Sequence, residues 1–237
     1  MNQLLFLDVE ATGVDKEDRI CQVAYKYGEE VVDELFKPPV PIKLPAMAIT
    51  HITEKMVADK QTFEASMYRG GLQQLNKDGF ILVAHNAKYD LGMLEKEGVY
   101  FDRHICTMKI ARHLDEGDKY ENHQMQYLRY YYGIEIEATA HDALGDILVL
   151  EQVFNYLRDE LKEVEGLLDD EETTKRMIEI SSKPSLIRVI RFGKYKDRKV
   201  ADIAKNDPSY LAWLLNEKRK SPEGEEDWIY TLETHLN

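Results

Sequence analysis

The chain has 237 residues, 43% hydrophobic and 32% charged, with a formal net charge of −13. That length suits one α/β domain with a smaller companion, and no apolar run approaches the ~20 residues that span a bilayer. Asp8 interrupts the short apolar run Leu4-Leu5-Phe6-Leu7, so a secretory leader is not expected; Cys21 and Cys106 lack metal or redox spacing and read as reduced core thiols of a cytoplasmic protein.

In chain order, residues 3–9 form an apolar run that predicts a buried strand. Residues 19–27 and 30–36 alternate as two further strands joined at Gly28. Pro38 and Pro39 break the pattern, and residues 64–76 read as a helix. Residues 79–84 predict a second buried strand, followed by a helix from Tyr89 to Glu97 and a short strand from Phe101 to Cys106. Helices are expected near 107–114 and 123–132. Another starts near Thr139, where Thr139 and Asp142 have capping-box spacing, and runs past Leu161. Beyond Pro184, residues 186–192 and 198–201 flank a turn at 193–197. Asp207 as N-cap and Pro208 behind it announce a last helix. This order predicts a mixed-sheet α/β domain over 1–165, an acidic linker over 166–185, and a small α+β module over 186–237.

The charge is unevenly placed. Residues 186–222 hold ten Lys and Arg against four Asp and Glu, while residues 157–180 hold nine acids against four bases. An acidic connector ahead of a basic module marks a boundary. A strongly acidic chain therefore does not exclude a polyanionic partner.

Three acidic motifs carry the chemistry: Asp8-Val9-Glu10-Ala11-Thr12-Gly13, His85-Asn86-Ala87-Lys88-Tyr89-Asp90 and His141-Asp142-Ala143-Leu144-Gly145-Asp146. Strand periodicity puts Asp8 and Glu10 on one face, where two carboxylates repel unless a cation intervenes. Hard oxygen donors of this kind suit Mg²⁺ or Mn²⁺; the alternative is an exposed edge. Gly13 is expected to open a turn whose backbone amides face a ligand. Asp90 follows a buried strand, where ligand sites of open α/β sheets lie. It reads equally as a helix N-terminal acid. His85 and Asn86 read as structural hydrogen bonders. His141, in a first helical turn, is available as a base near neutral pH, with a structural role as the alternative.

Taken together, the motifs resemble those of the DEDDh class of 3′–5′ exonucleases, through Asp8, Glu10 and Thr12, then His85, Asn86 and Asp90, then His141 and Asp146. Residues 47–57 resemble that family's segment near the terminal nucleotide. The stretches at 192–196 and 207–215 resemble the C-terminal segment of exodeoxyribonuclease X-like proteins. Val9 and Ala11 depart from the common pattern without touching a ligand, and Thr50 replaces a frequent histidine. The resemblance implies a ribonuclease H-like fold with a mixed five-stranded sheet flanked by helices. It implies two divalent cations, Mg²⁺ first and Mn²⁺ second, with Asp8 bridging both. Glu10 and Asp146 would bind the cation that carries the attacking water, Asp90 would hold the other, and His141 would deprotonate the water.

The expected activity is 3′–5′ hydrolysis of single-stranded or frayed DNA ends, releasing nucleoside 5′-monophosphates. Thr12, Lys194 and Lys196 are candidate substrate contacts. Among the tail aromatics, Tyr210 and Trp213 are expected in a small core and Tyr195 exposed. The alternatives are a proofreading or repair subunit whose C-terminal module docks a protein partner, and a ribonuclease of the same class acting on RNA.

Overall fold

The computed structural model describes residues 3–115, 117–136 and 143–236. Strands β1 (Leu4–Ala11), β2 (Ile20–Tyr27) and β3 (Glu30–Leu35) form an antiparallel meander that turns at Gly28, whose φ is +56°. Short helices α1 (Leu44–Thr50) and α2 (Glu54–Val57) follow, then α3 (Met67–Lys77), whose first turn is capped by Ser66 Oγ accepting from Arg69 N. Strand β4 (Ile81–Ala84) pairs parallel with β1, and helix α4 (Lys88–Lys96) leads to β5 (His104–Cys106), parallel with β4. The sheet order is β3-β2-β1-β4-β5, the expected mixed five-stranded sheet. Helices α5 (Thr107–Leu114), α6 (Met125–Tyr131), α7 (Ala143–Glu165) and α8 (Asp170–Ser182) complete this unit.

Strand alternation divides the core into two layers. Leu5, Leu7, Val9 and Ala11 of β1 face one cluster with Leu72, Met93 and Leu94 from α3 and α4. Phe6 faces the other, with Ile110, Leu128, Ile147, Val153, Phe154 and Met177 from α5 to α8. Cys21 and Cys106 are buried free thiols, as expected. Among the described residues no helix is long and apolar enough to cross a membrane.

Residues 166–185, read above as an acidic linker, contain α8, and its Met177 and Ile180 belong to the same core as Phe154. Four of the nine acids that suggested a connector occupy the helix's N-cap and first turn, where Asp169 caps and Asp170, Glu171 and Glu172 complement the macrodipole; Asp159, Glu160, Glu163 and Glu165 belong to α7. The cap proposed from Thr139 and Asp142 lies outside the described residues.

The C-terminal unit has its own small core. Strands β6 (Val189–Ile190) and β7 (Arg198–Lys199) flank a 3-10 turn at Gly193–Tyr195. Helices α9 (Val200–Asn206), α10 (Pro208–Lys220) and α11 (Glu226–Leu236) follow. Ile190, Val200, Leu211, Leu214 and Leu232 pack together, and Asp207 caps α10 as anticipated. Trp213 is instead exposed, whereas Tyr195 and Tyr210 are half-buried against that core. The unit is tied to the sheet unit through Asp227, which accepts from Arg112 Nη1 at 2.7 Å and Ser185 N at 2.8 Å.

If α8 is part of the folded core, Met177→Ala should lower stability by about 2–5 kcal/mol, as for other buried methionines. Urea unfolding measures it; a loss below about 0.5 kcal/mol, the range of exposed substitutions, would show α8 to be a detachable connector.

Candidate active site

Strand β1 outruns its parallel neighbour. Its pairing with β4 ends at Phe6 opposite Val83, while its pairing with β2 continues to Ala11. The edge beyond Phe6 is therefore open to groups from the following loop and helix. Val9 N donates to Asp90 Oδ1 at 3.1 Å, filling one such position. That bond fixes Asp90, which is 2% exposed, beside the strand residue between Asp8 and Glu10.

Asp8 and Glu10 lie on the Phe6 side of the sheet, so the apolar face becomes acidic as the strand leaves the core. Helix α7 lies across that side, with Phe154 edge-on to Phe6 at 5.4 Å between ring centroids. Asp146 lies eight residues earlier, about 12 Å along the helix. Phe6 to Glu10 is about 13 Å along the strand. An α7 running antiparallel to β1 thus carries Asp146 to the Glu10 end.

The electrostatics agree with this geometry. Burial and then the Asp146 carboxylate push Glu10 up to about 7. Burial, then Asp90, Glu10 and Asp146, hold Asp8 well above the usual carboxylate range. Asp90 is pushed up to about 8, mainly by burial, although the Val9 amide opposes the shift. Among the described residues no Lys or Arg forms an ion pair with Asp8, Glu10 or Asp90. Nor is any group of three or more Asp, Glu, His or Cys side chains already closed into a cation cage. Four hard-oxygen donors share one end of the sheet, where like charges raise one another's pKa. Such a donor set fits divalent cations of the Mg²⁺ type.

The remaining motif residues have different duties. His85 Nε2 donates to the His123 carbonyl at 2.8 Å, so Nδ1 is the acceptor for the Thr107 hydroxyl at 2.9 Å. Burial pushes His85 down to about 4, which keeps this structural histidine neutral. Asn86 takes a left-handed φ of 65°, turning the chain from β4 into α4. Thr12 is fully buried; its hydroxyl donates to Asp18 Oδ1 at 2.8 Å and accepts from Arg19 N at 3.1 Å. A Cβ on Gly13 would lie 2.5 Å from Asp18 Oδ2, so a close approach within this loop requires the glycine. Lys194 and Lys196 are exposed on the C-terminal unit, where Lys194 pairs with Asp207 at 3.1 Å. His141 lies outside the described residues.

Two neighbours were not singled out from sequence. Tyr89 donates its hydroxyl to the Gly13 carbonyl at 3.5 Å, and burial together with Glu10 and Asp90 raises its phenol. Its position immediately before Asp90 was the available signal. Gln126 Nε2 donates to Asp146 Oδ1 at 2.8 Å; nothing in the sequence distinguishes it from a surface glutamine.

A mixed sheet whose open strand end gathers four carboxylates is the architecture of a divalent-metal-dependent nuclease. The chain belongs to the exonuclease family: the family model described as Exonuclease matches residues 5–154, and an Exodeoxyribonuclease X-like C-terminal model matches residues 190–219. It is 35% identical over 192 residues to Exodeoxyribonuclease 10 of Escherichia coli strain K12, covering 78% of this chain and 76% of that protein. It is also 32% identical over 178 residues to a DNA polymerase III subunit epsilon-like protein of Rhodobacter capsulatus, covering 68% of this chain and 25% of that one. Among solved structures, it resembles exonuclease X in complex with 5′-overhanging duplex DNA, with a TM-score of 0.55, 24% identity, and coverage of 75% and 99%. E. coli exonuclease I in complex with a dT13 oligonucleotide gives 0.59, 17%, and coverage of 70% and 43%. The chain is a nuclease of a divalent-metal-dependent family with a ribonuclease H-like fold.

The raised carboxyls fix the sign of a pH effect. Glu10 and Asp90 bind protons more tightly folded than unfolded, so their contribution is fully present below about pH 4 and is lost as pH rises through about 7 and 8. His85 has the opposite sign, gaining stability between about 4 and its ordinary 6.5. Of these three groups only the carboxylates still titrate above about pH 6.5, and the buried Cys21 thiol, raised from 9.0 to about 12, adds a loss of the same sign toward pH 8.5. In chelator, the melting temperature should fall from about pH 6.5 to 8.5, and millimolar Mg²⁺ or Mn²⁺ should abolish most of that fall. A flat chelator profile would contradict the close packing of these charges.

Proposed function

We propose that this exonuclease removes nucleotides from the 3′ end of single-stranded or frayed DNA. Asp8, Glu10, Asp90 and Asp146 hold two divalent cations, Mg²⁺ before Mn²⁺, and His141 is the general base. The observation that carries this reading is the cluster of carboxyls at the open end of β1, Asp90 buried and Asp8 and Glu10 half-buried, all raised by desolvation and by one another. Bound there, divalent cations would offset the carboxylate charge and stabilise charge developing on the phosphate. Water attacks phosphorus and gives its proton to His141; the bond from phosphorus to the 3′ oxygen of the preceding nucleotide breaks, that oxygen takes a proton from solvent to become the 3′-hydroxyl of the shortened strand, and a nucleoside 5′-monophosphate is released. The names of the similar proteins support DNA as the substrate, since they include Exodeoxyribonuclease 10 and exonucleases crystallised with DNA.

The nuclease unit on this reading runs through α8, and the C-terminal unit begins near residue 186. Lys194, Lys196 and the exposed Trp213 would hold the strand away from the reacting end, by charge and by stacking. A second reading, docking of a protein partner, is favoured by the pairing within the tail: Lys218 with Glu225, Arg219 with Glu233, Lys220 with Glu217 and Arg191 with Asp197.

A 3′-labelled oligomer in Mg²⁺ should be shortened from that end, faster as DNA than as RNA of the same sequence. His141→Ala should lower kcat about 10²–10⁴-fold, the usual contribution of a general base, and Asp8→Asn should abolish turnover. Full activity in His141→Ala would remove that residue from the mechanism; faster RNA cleavage would reassign the substrate. In a separate measurement, Lys194→Ala with Lys196→Ala should raise KM severalfold and flatten its salt dependence while kcat holds. Unchanged KM and salt slope would favour docking.

A further inference from the structure

Helix α6 contributes no carboxylate to the cluster, yet it touches one. Gln126, in its first turn, donates Nε2 to Asp146 Oδ1 at 2.8 Å. On its other side, Gln126 Oε1 accepts from Arg129 Nη1 at 3.4 Å. Arg129 is 8% exposed and is itself anchored, with Nε donating to the Ile134 carbonyl at 3.5 Å and Nη2 to the Ile136 carbonyl. This order fixes the amide. Reversed, its oxygen would face a carboxylate and its NH₂ a guanidinium, so both contacts would become repulsive.

We propose that Gln126, oriented by Arg129, is a positioning residue that aims the Asp146 carboxylate at the divalent-cation site. The inference rests on the reading of Asp146 as a cation ligand. A neutral amide suits the task. Lys or Arg at this place would neutralise Asp146 and compete with the cation, while Asp or Glu would add a further repulsion. Asp146 is only 7% exposed, so the hydrogen bond from Gln126 acts there in a low dielectric and helps to hold its direction. Arg129 donates to the amide oxygen of Gln126, and its charge polarises that amide.

The test uses the full chain with Gln126→Met, which keeps the side-chain length without a donor, and Gln126→Ala as a second variant. Mn²⁺ binding is measured by calorimetry without nucleic acid, beside thermal unfolding and the Mn²⁺ dependence of kcat and KM. Supporting contacts to ligands typically change metal affinity or activity 10–100-fold. The expected result is a loss of Mn²⁺ affinity in that range, a matching rise in the Mn²⁺ needed for half-maximal kcat, and an unchanged KM for the oligonucleotide. Mn²⁺ affinity within twofold of wild type in either folded variant overturns the proposal. So does a lowered melting temperature with unchanged Mn²⁺ affinity, which marks a purely structural glutamine. Asp146→Asn separates the two failures: if it too leaves Mn²⁺ binding and kcat intact, the reading of Asp146 as a ligand has failed. If it abolishes them while Gln126→Met does not, only the positioning role has failed.

Discussion

The hydrogen bond from Val9 N to Asp90 Oδ1 is the contact on which the arrangement of the site depends. A parallel neighbour of full length would have covered this edge of β1 with a ladder of backbone bonds. Because β4 ends sooner, the Val9 amide needs another acceptor, and an orphaned buried amide is costly. A carboxylate from the first turn of α4 supplies it. The same bond that satisfies the strand thereby brings Asp90 beside the two carboxylates that β1 carries on its other face. Topology and chemistry meet in one interaction: the sheet is open where the site requires it to be open.

Three desolvated carboxyls near one another, Asp90 buried and Asp8 and Glu10 half-buried, are a poor choice for stability. Each raised value says that the folded protein holds these groups more easily as neutral acids than as anions. The fold tolerates this because neutral donors hold the carboxylates in place, the Val9 amide on Asp90 and the Gln126 amide on Asp146. Neither contact cancels charge. A cation bound at such a site would couple its binding energy to folding.

Much of this was legible in the sequence, for physical reasons that can be named. Asp8 and Glu10 are two apart in an apolar strand, and period-two alternation alone puts them on one side. Asp90 follows a second apolar strand, and helices after such strands begin at the ligand-binding edge. Helix α8 was hidden because its acids dominate composition, yet Thr173, Met177 and Ile180 form a buried stripe at spacings of four and three. Gln126 could not have been found, since a polar residue in a helix takes its meaning only from what faces it across the fold. The charge of the tail was overstated because the basic window stopped short of Glu225, which pairs with Lys218, and of α11, whose Glu233 pairs with Arg219.

That pairing does not by itself make the tail unavailable to a polyanion. Exposed ion pairs are worth about 0–1 kcal/mol each, so exchanging a carboxylate partner for a phosphate costs little locally, and released counterions favour the exchange. The contacts that resist exchange are those to the nuclease unit. Asp227 holds Arg112 and the Ser185 backbone together, and the Asp227 and Arg112 side chains are each about one-fifth exposed, so this joint is screened less than the outer pairs. The outer cations of the C-terminal unit are therefore free to change partners while the joint that orients them stays closed. A unit built in this way can present its lysines and arginines to a strand, or to an acidic protein surface, without losing its place beside α4 and α5.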